Sequence, residues 1–218
     1  MTIRAFASPV LFTSAMLLPA CSPPEQTAES LADGPQDGFW SALASHCGNA
    51  YRGTLVSDDA ADADFAEADM VMHVRECSED RIAVPFHVAI DGQWDRSRTW
   101  VFTRTDAGLR LKHDHRHEDG SSDAVTMYGG DTVDAGTAAA QNFPVDAESI
   151  AMFEREGLGA SVTNVWTVEV EPAISGDGSF VYQLQRTIEG GAPEDRFFRV
   201  EFDLSTAAET PSAPWGHE

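Results

Sequence analysis

The sequence predicts a mainly β protein, an antiparallel meandering β-barrel of about nine to ten strands with one N-terminal and one internal short helix. Three observations lead there. After residue 50, apolar and polar residues alternate with period 2 in segment after segment. Short clusters such as "SED", "DGQ", "DAG" and "DGSS" separate the segments, as hairpin turns require. The resulting strands are too many for an open sheet, which must curl or split, and closure removes the exposed edges. A β-sandwich is the alternative architecture.

The elements follow in order. "GFWSALASHCG" reads as a helix stopped by Gly48. Strands are expected at residues 50–57, 69–77, 81–90, 97–105, 108–118 and 123–130, and at "AAQNFPV". "VDAESIAMFEREG" carries Ile150, Met152 and Phe153 at helical spacing and ends in glycine, so it forms the internal helix. Strands at 161–171, 179–189 and 196–205 complete the set. The remaining tail, 206–218, reads as disordered. The body, 38–205, has the length of one domain. Between Val56 and Met70 runs "SDDAADADFAEAD", which lacks EF-hand spacing and reads as a solvated loop.

Residues 1–20 combine one charge, Arg4, with an apolar stretch and small residues, the pattern of a signal peptide. Cys21 follows. "LPAC", Leu18 to Cys21, resembles the lipobox of bacterial lipoproteins, with Pro19 where that family carries a small or apolar residue. The resemblance implies cleavage before Cys21, acylation of that cysteine and an address in the bacterial cell envelope. Ser22, in place of the aspartate that retains such proteins in the inner membrane, implies the outer membrane. Periplasmic or secreted protein is the alternative. Residues 21–37 are rich in proline, acid and small polar residues and read as a tether.

The formal charge is −22. So acidic a chain repels nucleic acid and anionic headgroups, so its membrane partner is reached through the acyl anchor and not through charge. Cys47 and Cys77 remain, in a compartment that favours a disulfide; two free thiols or a metal pair are the alternatives.

No nucleophile elbow, phosphate loop, dinucleotide fingerprint, H-E-x-x-H or C-x-x-C is present. Function must be sought in "LKHDHRHEDG", residues 111–120. Along a strand, Leu109, Leu111, His113, His115 and His117 share one face, and Arg110, Lys112, Asp114, Arg116 and Glu118 share the other. The second set is a solvent face. The histidine face therefore points inward, apolar at one end and polar toward the turn. His113 and His115 are candidate ligands for zinc or another divalent metal, but a third ligand must come from elsewhere, from His73 or His87. Arg98, Trp100, Phe102 and Arg104 share a face of the preceding strand; facing inward, each arginine needs a carboxylate or a bound anion. His73, Arg75, Arg98, Trp100, His113 and His115 are thus the candidate ligand-binding set.

Residues 97–132 resemble short secreted proteins and lipoproteins of proteobacteria that have no assigned activity, and the likeness runs from about Phe39 to Leu204. It implies an address and no reaction. At the level of architecture alone, the strand pattern is similar to calycin-type barrels such as lipocalins, which hold small ligands. Three functions are compatible with these readings. One is an envelope binding module for a small ligand or ion. Another is an enzyme using histidine and arginine for acid–base and anion-stabilising chemistry. The third is an envelope interaction protein with no pocket.

Overall fold

A computed structural model describes residues 34–176 and 178–218, together with Met1 and Thr2. The signal segment, Cys21 and most of the tether lie outside the described residues. The last tether residues do not: α1 spans Pro35–Ala44, so ordered structure starts before residue 38. Pro35 suits the first helical turn because its missing N–H is not needed there, and the Asp37 carboxylate accepts the Gly34 amide at 3.2 Å.

Eleven strands follow: β1 (Ala50–Leu55), β2 (Met70–His73), β3 (Glu76–Cys77), β4 (Arg81–Ile90), β5 (Gln93–Thr105), β6 (Gly108–His115), β7 (Tyr128–Asp131), β8 (Ala140–Pro144), β9 (Val165–Val170), β10 (Ser179–Arg186) and β11 (Arg196–Asp203). Helix α2 spans Ala147–Arg155, capped by the Asp146 carboxylate on the Ser149 amide. All pairings are antiparallel, and ten strands form one path, β7-β6-β5-β4-β2-β1-β11-β10-β9-β8, with β3 added to β4. One continuous sheet excludes the sandwich. The barrel is nearly closed. Between its ends, β7 and β8, runs a seam of one bridge, Gly130 to Val145, and one bond from the Asp146 amide to the Gly129 carbonyl at 3.0 Å. The chemistry of the seam is local. A Cβ on Gly130 would lie 1.8 Å from the Pro144 carbonyl oxygen, so only glycine permits the approach, and Pro144 has no N–H with which to continue a ladder.

Several strand boundaries differ from those the pattern predicts. The expected strand at 69–77 breaks between β2 and β3. That at 123–130 shrinks to β7, because Met127 adopts φ +56° and Asp123 turns the chain by accepting the Val125 amide. Residues 161–163 belong to a 3-10 helix, Gly159–Thr163, instead of β9. The acidic run is largely exposed, as expected, but it is not irregular. It forms a 3-10 helix, Ala60–Phe65, whose Asp62 is 2 % exposed.

The barrel interior is packed, not hollow. Phe39 and Leu43 of α1 insert at one end, Phe39 meeting Phe102 at 6.3 Å, and Phe143, Trp166, Phe180 and Phe202 fill the middle. Arg104 lies at this end, 2.5 Å from Asp37 and over the Trp40 ring. Cys47 and Cys77 form a disulfide that ties the chain leaving α1 to β3. The tail expected to be disordered is instead fastened to the outer wall. Ala208 donates to the Ala50 carbonyl, Trp215 to that of Arg96, and His217 Nε2 lies 3.0 Å from the Asp114 carboxylate.

Candidate functional site

Strand β6 runs from the filled end to the open one. Leu109 and Leu111 are buried in the core, His113 follows, and His115 is partly exposed, so the histidine face does point inward. His117 lies past the strand end, with its side chain exposed. The opposite face is less wet than its charges suggest. Lys112 is buried beside the start of α2, 2.8 Å from Asp146 and 3.2 Å from Glu148, and Asp114 is buried under Arg116 and His217.

Strand β5 pairs with β6 so that Trp100 lies opposite His113 and Arg98 opposite His115. The carboxylate that an inward Arg98 requires is Asp95. Three residues apart, the two would face opposite sides of a regular strand. A register shift between Phe86 and Val88 of β4, opposite residues 95–98, places both inside. The bulge is invisible in the alternation pattern, which is why Asp95 escaped the sequence reading.

A cavity of about 180 Å³ opens here, its walls including Arg98, Trp100, His113, His115, Tyr128 and Tyr182. Its aromatic walls are organised by stacking. Trp100 lies between Phe86 at 4.9 Å and Tyr182 at 4.4 Å, both nearly parallel to it, and His113 stacks on Tyr128 at 4.7 Å. The 3-10 helix at Ala60–Phe65 borders the cavity. Its Phe65 packs edge-on against Phe198 at 5.4 Å beneath the Arg98 guanidinium, and its Asp62 grips Arg196 with both oxygens. Phe65, Asp62 and Arg196 thus join the site although nothing in their spacing marked them. Tyr128 and Tyr182 were legible in principle, since Tyr182 alternates with Phe180 and Leu184 along β10.

The hydrogen bonds fix the protonation pattern. His113 Nδ1 faces the Tyr128 carbonyl at 3.0 Å and must donate to it. Nε2 is then the acceptor and receives the Tyr182 hydroxyl at 2.8 Å. Both ring nitrogens are occupied, so His113 has no lone pair for a metal. A metal at His113 and His115 would have to displace these bonds, and among the described residues no cluster of three or more histidine, cysteine or acidic side chains has metal-binding geometry. His115 Nε2 lies 3.1 Å from the Tyr128 hydroxyl. Burial pushes His113 down to about 3, and burial with the nearby Arg98 charge pushes His115 to about 4. Burial also raises Tyr128 to about 12 and Tyr182 well above the usual phenol range. Burial works against the Asp95 carboxylate, but hydrogen bonds from Ser97 and Arg98 outweigh it and hold its pKa low.

These shifts carry a pH signature. An unfolded chain protonates its imidazoles near pH 6.5, whereas folded His113 and His115 resist protonation down to about 3 and 4. Between those limits the unfolded state binds more protons, so their contribution is full above pH 6.5 and is lost as pH falls. Thermal unfolding followed from pH 7 to 5 should therefore show a shallower loss of stability in His115→Asn than in the wild type. Parallel curves would contradict this assignment.

Two of the six candidate residues are elsewhere. Met70, Met72 and Val74 take the interior positions around β2, which turns His73 and Arg75 outward. They lie under the tail, where Arg75 donates to the His217 carbonyl at 2.7 Å, and near His87, which is 1 % exposed on the same outer side. The structure thus brings together Arg98, Trp100, His113 and His115, and separates His73 and Arg75 from them. No protein-family description, no curated protein and no solved structure matches the chain, so the site's own chemistry carries the functional reading.

Proposed function

We propose that this chain is a binding module for a small, flat, largely apolar ligand held at the barrel mouth, tethered to a bacterial envelope membrane through acyl chains on Cys21. The observation that carries the reading is the aromatic cavity walled by Trp100, Tyr128 and Tyr182, with His113 and His115 between them. Small barrels of this width hold one such molecule. The same site argues against acid–base catalysis. A general acid or base works best with a pKa near the working pH, and these histidines and tyrosines have been moved away from it in both directions. An interaction protein without a pocket has no use for the cavity.

Naphthalene is a direct probe. It should bind with a dissociation constant on the order of 0.1 mM or tighter, and two-dimensional NMR should place the largest shifts at His115, Tyr128 and Leu184. Leu184→Trp, which fills the cavity from its wall, should abolish binding without removing an aromatic contact. Absence of binding to the wild type, or shifts spread over the outer surface, would end this reading. The anchor has its own test. Cys21→Ser should move the protein from the membrane to the soluble fraction of the expressing bacterium, and an unchanged distribution would remove the anchor from the proposal.

A further inference from the structure

Two hydrogen-bond donors in the cavity wall have no protein acceptor left to them. Arg98 is the first. Its Nη1 donates to the Asp95 carboxylate and to Ser97 Oγ at 3.2 Å. Among the described residues Nε and Nη2 meet no acceptor, and with the side chain 27 % exposed they are not closed off from the cavity that Arg98 lines. These two nitrogens direct their N–H groups along one edge of the guanidinium. Arg110 uses that same edge, Nε and Nη2, to hold both oxygens of Asp131.

His115 is the second. It stands opposite Arg98 across β5 and β6, where paired side chains have Cβ atoms about 4.5–5.5 Å apart, and it lines the same cavity partly exposed. Tyr128 fixes its tautomer. Burial holds the proton on the Tyr128 hydroxyl, whose partner among the described residues is His115 Nε2. The hydroxyl therefore donates, Nε2 accepts, and the one proton of the neutral ring sits on Nδ1. Burial and the Arg98 charge keep a second proton off the ring. Nδ1–H, like the Arg98 edge, meets no acceptor among the described residues. The one carboxylate in the cavity wall, Asp62, has both oxygens on Arg196. Resting on the binding reading above, we infer that the ligand is an uncharged flat ring carrying a carbonyl, whose oxygen accepts from the Arg98 edge and from His115 Nδ1. A carbonyl oxygen has two lone pairs, so a single atom answers both donors. A carboxylate in that place is disfavoured. Asp95 already answers the Arg98 charge, and Asp62 with Asp59 outnumber the charge of Arg196.

2-Acetonaphthone and 2-isopropenylnaphthalene test this on the full chain, with naphthalene and 2-naphthoate beside them. The first two share an outline and differ only in C=O against C=CH2. The wild type should bind the ketone roughly 10-fold or more tightly than the alkene, the worth of one hydrogen bond from a charged donor, and should bind 2-naphthoate more weakly than the ketone. Arg98→Met with Asp95→Asn, which leaves no charge unpaired, should bring ketone and alkene to equal affinity. His115→Phe, which keeps a ring, should narrow the preference. If naphthalene binds and ketone and alkene bind the wild type alike, the carbonyl assignment falls and the binding reading stands. Tighter binding of 2-naphthoate than of the ketone overturns the uncharged assignment. A preference that survives the Arg98 double variant overturns the role of Arg98. If none of the four probes binds, this inference and the binding reading both fall. The wild-type comparison decides even where a variant fails to fold.

Discussion

Replacing Arg196 by Ala should lower the stability of the barrel by about 3–5 kcal/mol, the usual cost of removing one partner from a buried ion pair. Asp62 is the reason. At 2 % exposure it has Arg196 as its charge partner, and the arginine reaches it with both terminal nitrogens while also touching Asp59 at 3.1 Å. Without Arg196, a carboxylate stays buried and uncompensated. A loss of that size is a large share of the roughly 5–15 kcal/mol that holds a domain together. The pair also seats the 3-10 helix that carries Phe65 to the cavity, so the same variant should weaken probe binding. Urea unfolding measures the first effect. The double variant Asp62→Leu with Arg196→Met should recover most of the stability, because it buries no charge. A single Arg196→Ala variant within about 0.5 kcal/mol of the wild type, the range of an ordinary surface change, would show that Asp62 is solvated after all.

Opening the Cys47–Cys77 disulfide should cost about 3–4 kcal/mol, from the loop entropy released to an unfolded chain closed over 30 residues. The bridge acts at one place in the fold. It ties the segment after α1 to β3, and α1 is the plug whose Phe39 and Leu43 complete the core. Reduction should therefore lower the unfolding midpoint and expose tryptophan, since Trp40 leaves the filled end with the helix. The double variant Cys47→Ala with Cys77→Ala gives the same comparison without reductant. Equal midpoints for oxidised and reduced protein would mean that the plug is held by packing alone.

The candidate site was half legible. Alternation along "GLRLKHDH" correctly turned His113 and His115 inward, because the opposite face carried mixed charges and a strand has two faces only. For Arg98 and Trp100 the same rule left inward and outward facing equally open, and demanded a carboxylate or a bound anion only of an inward arginine. It could not name that carboxylate, because a bulge breaks the period that the argument uses. His73 and Arg75 were joined to the set because they share a face with each other. Which face is a matter of the neighbouring strand, and Met70 and Met72 filled the core instead. The partners of the His113 ring were hidden for a similar reason. The tyrosines that occupy His113 come from β7 and β10, residues 15 and 69 positions away in sequence.

The sequence by itself determined the strand-rich barrel, its two principal helices, the pairing of Cys47 with Cys77 as the favoured outcome, and the inward facing of the histidine strand. Each follows from local period, turn chemistry or counting, which act within a few residues. Only the tertiary structure decided where the seam lies, that the acidic run crosses the mouth, and that the tail covers His73 and His87. These depend on contacts between segments far apart in the chain. Burial and hydrogen-bond completion are properties of the assembled surface, and no window of sequence contains them.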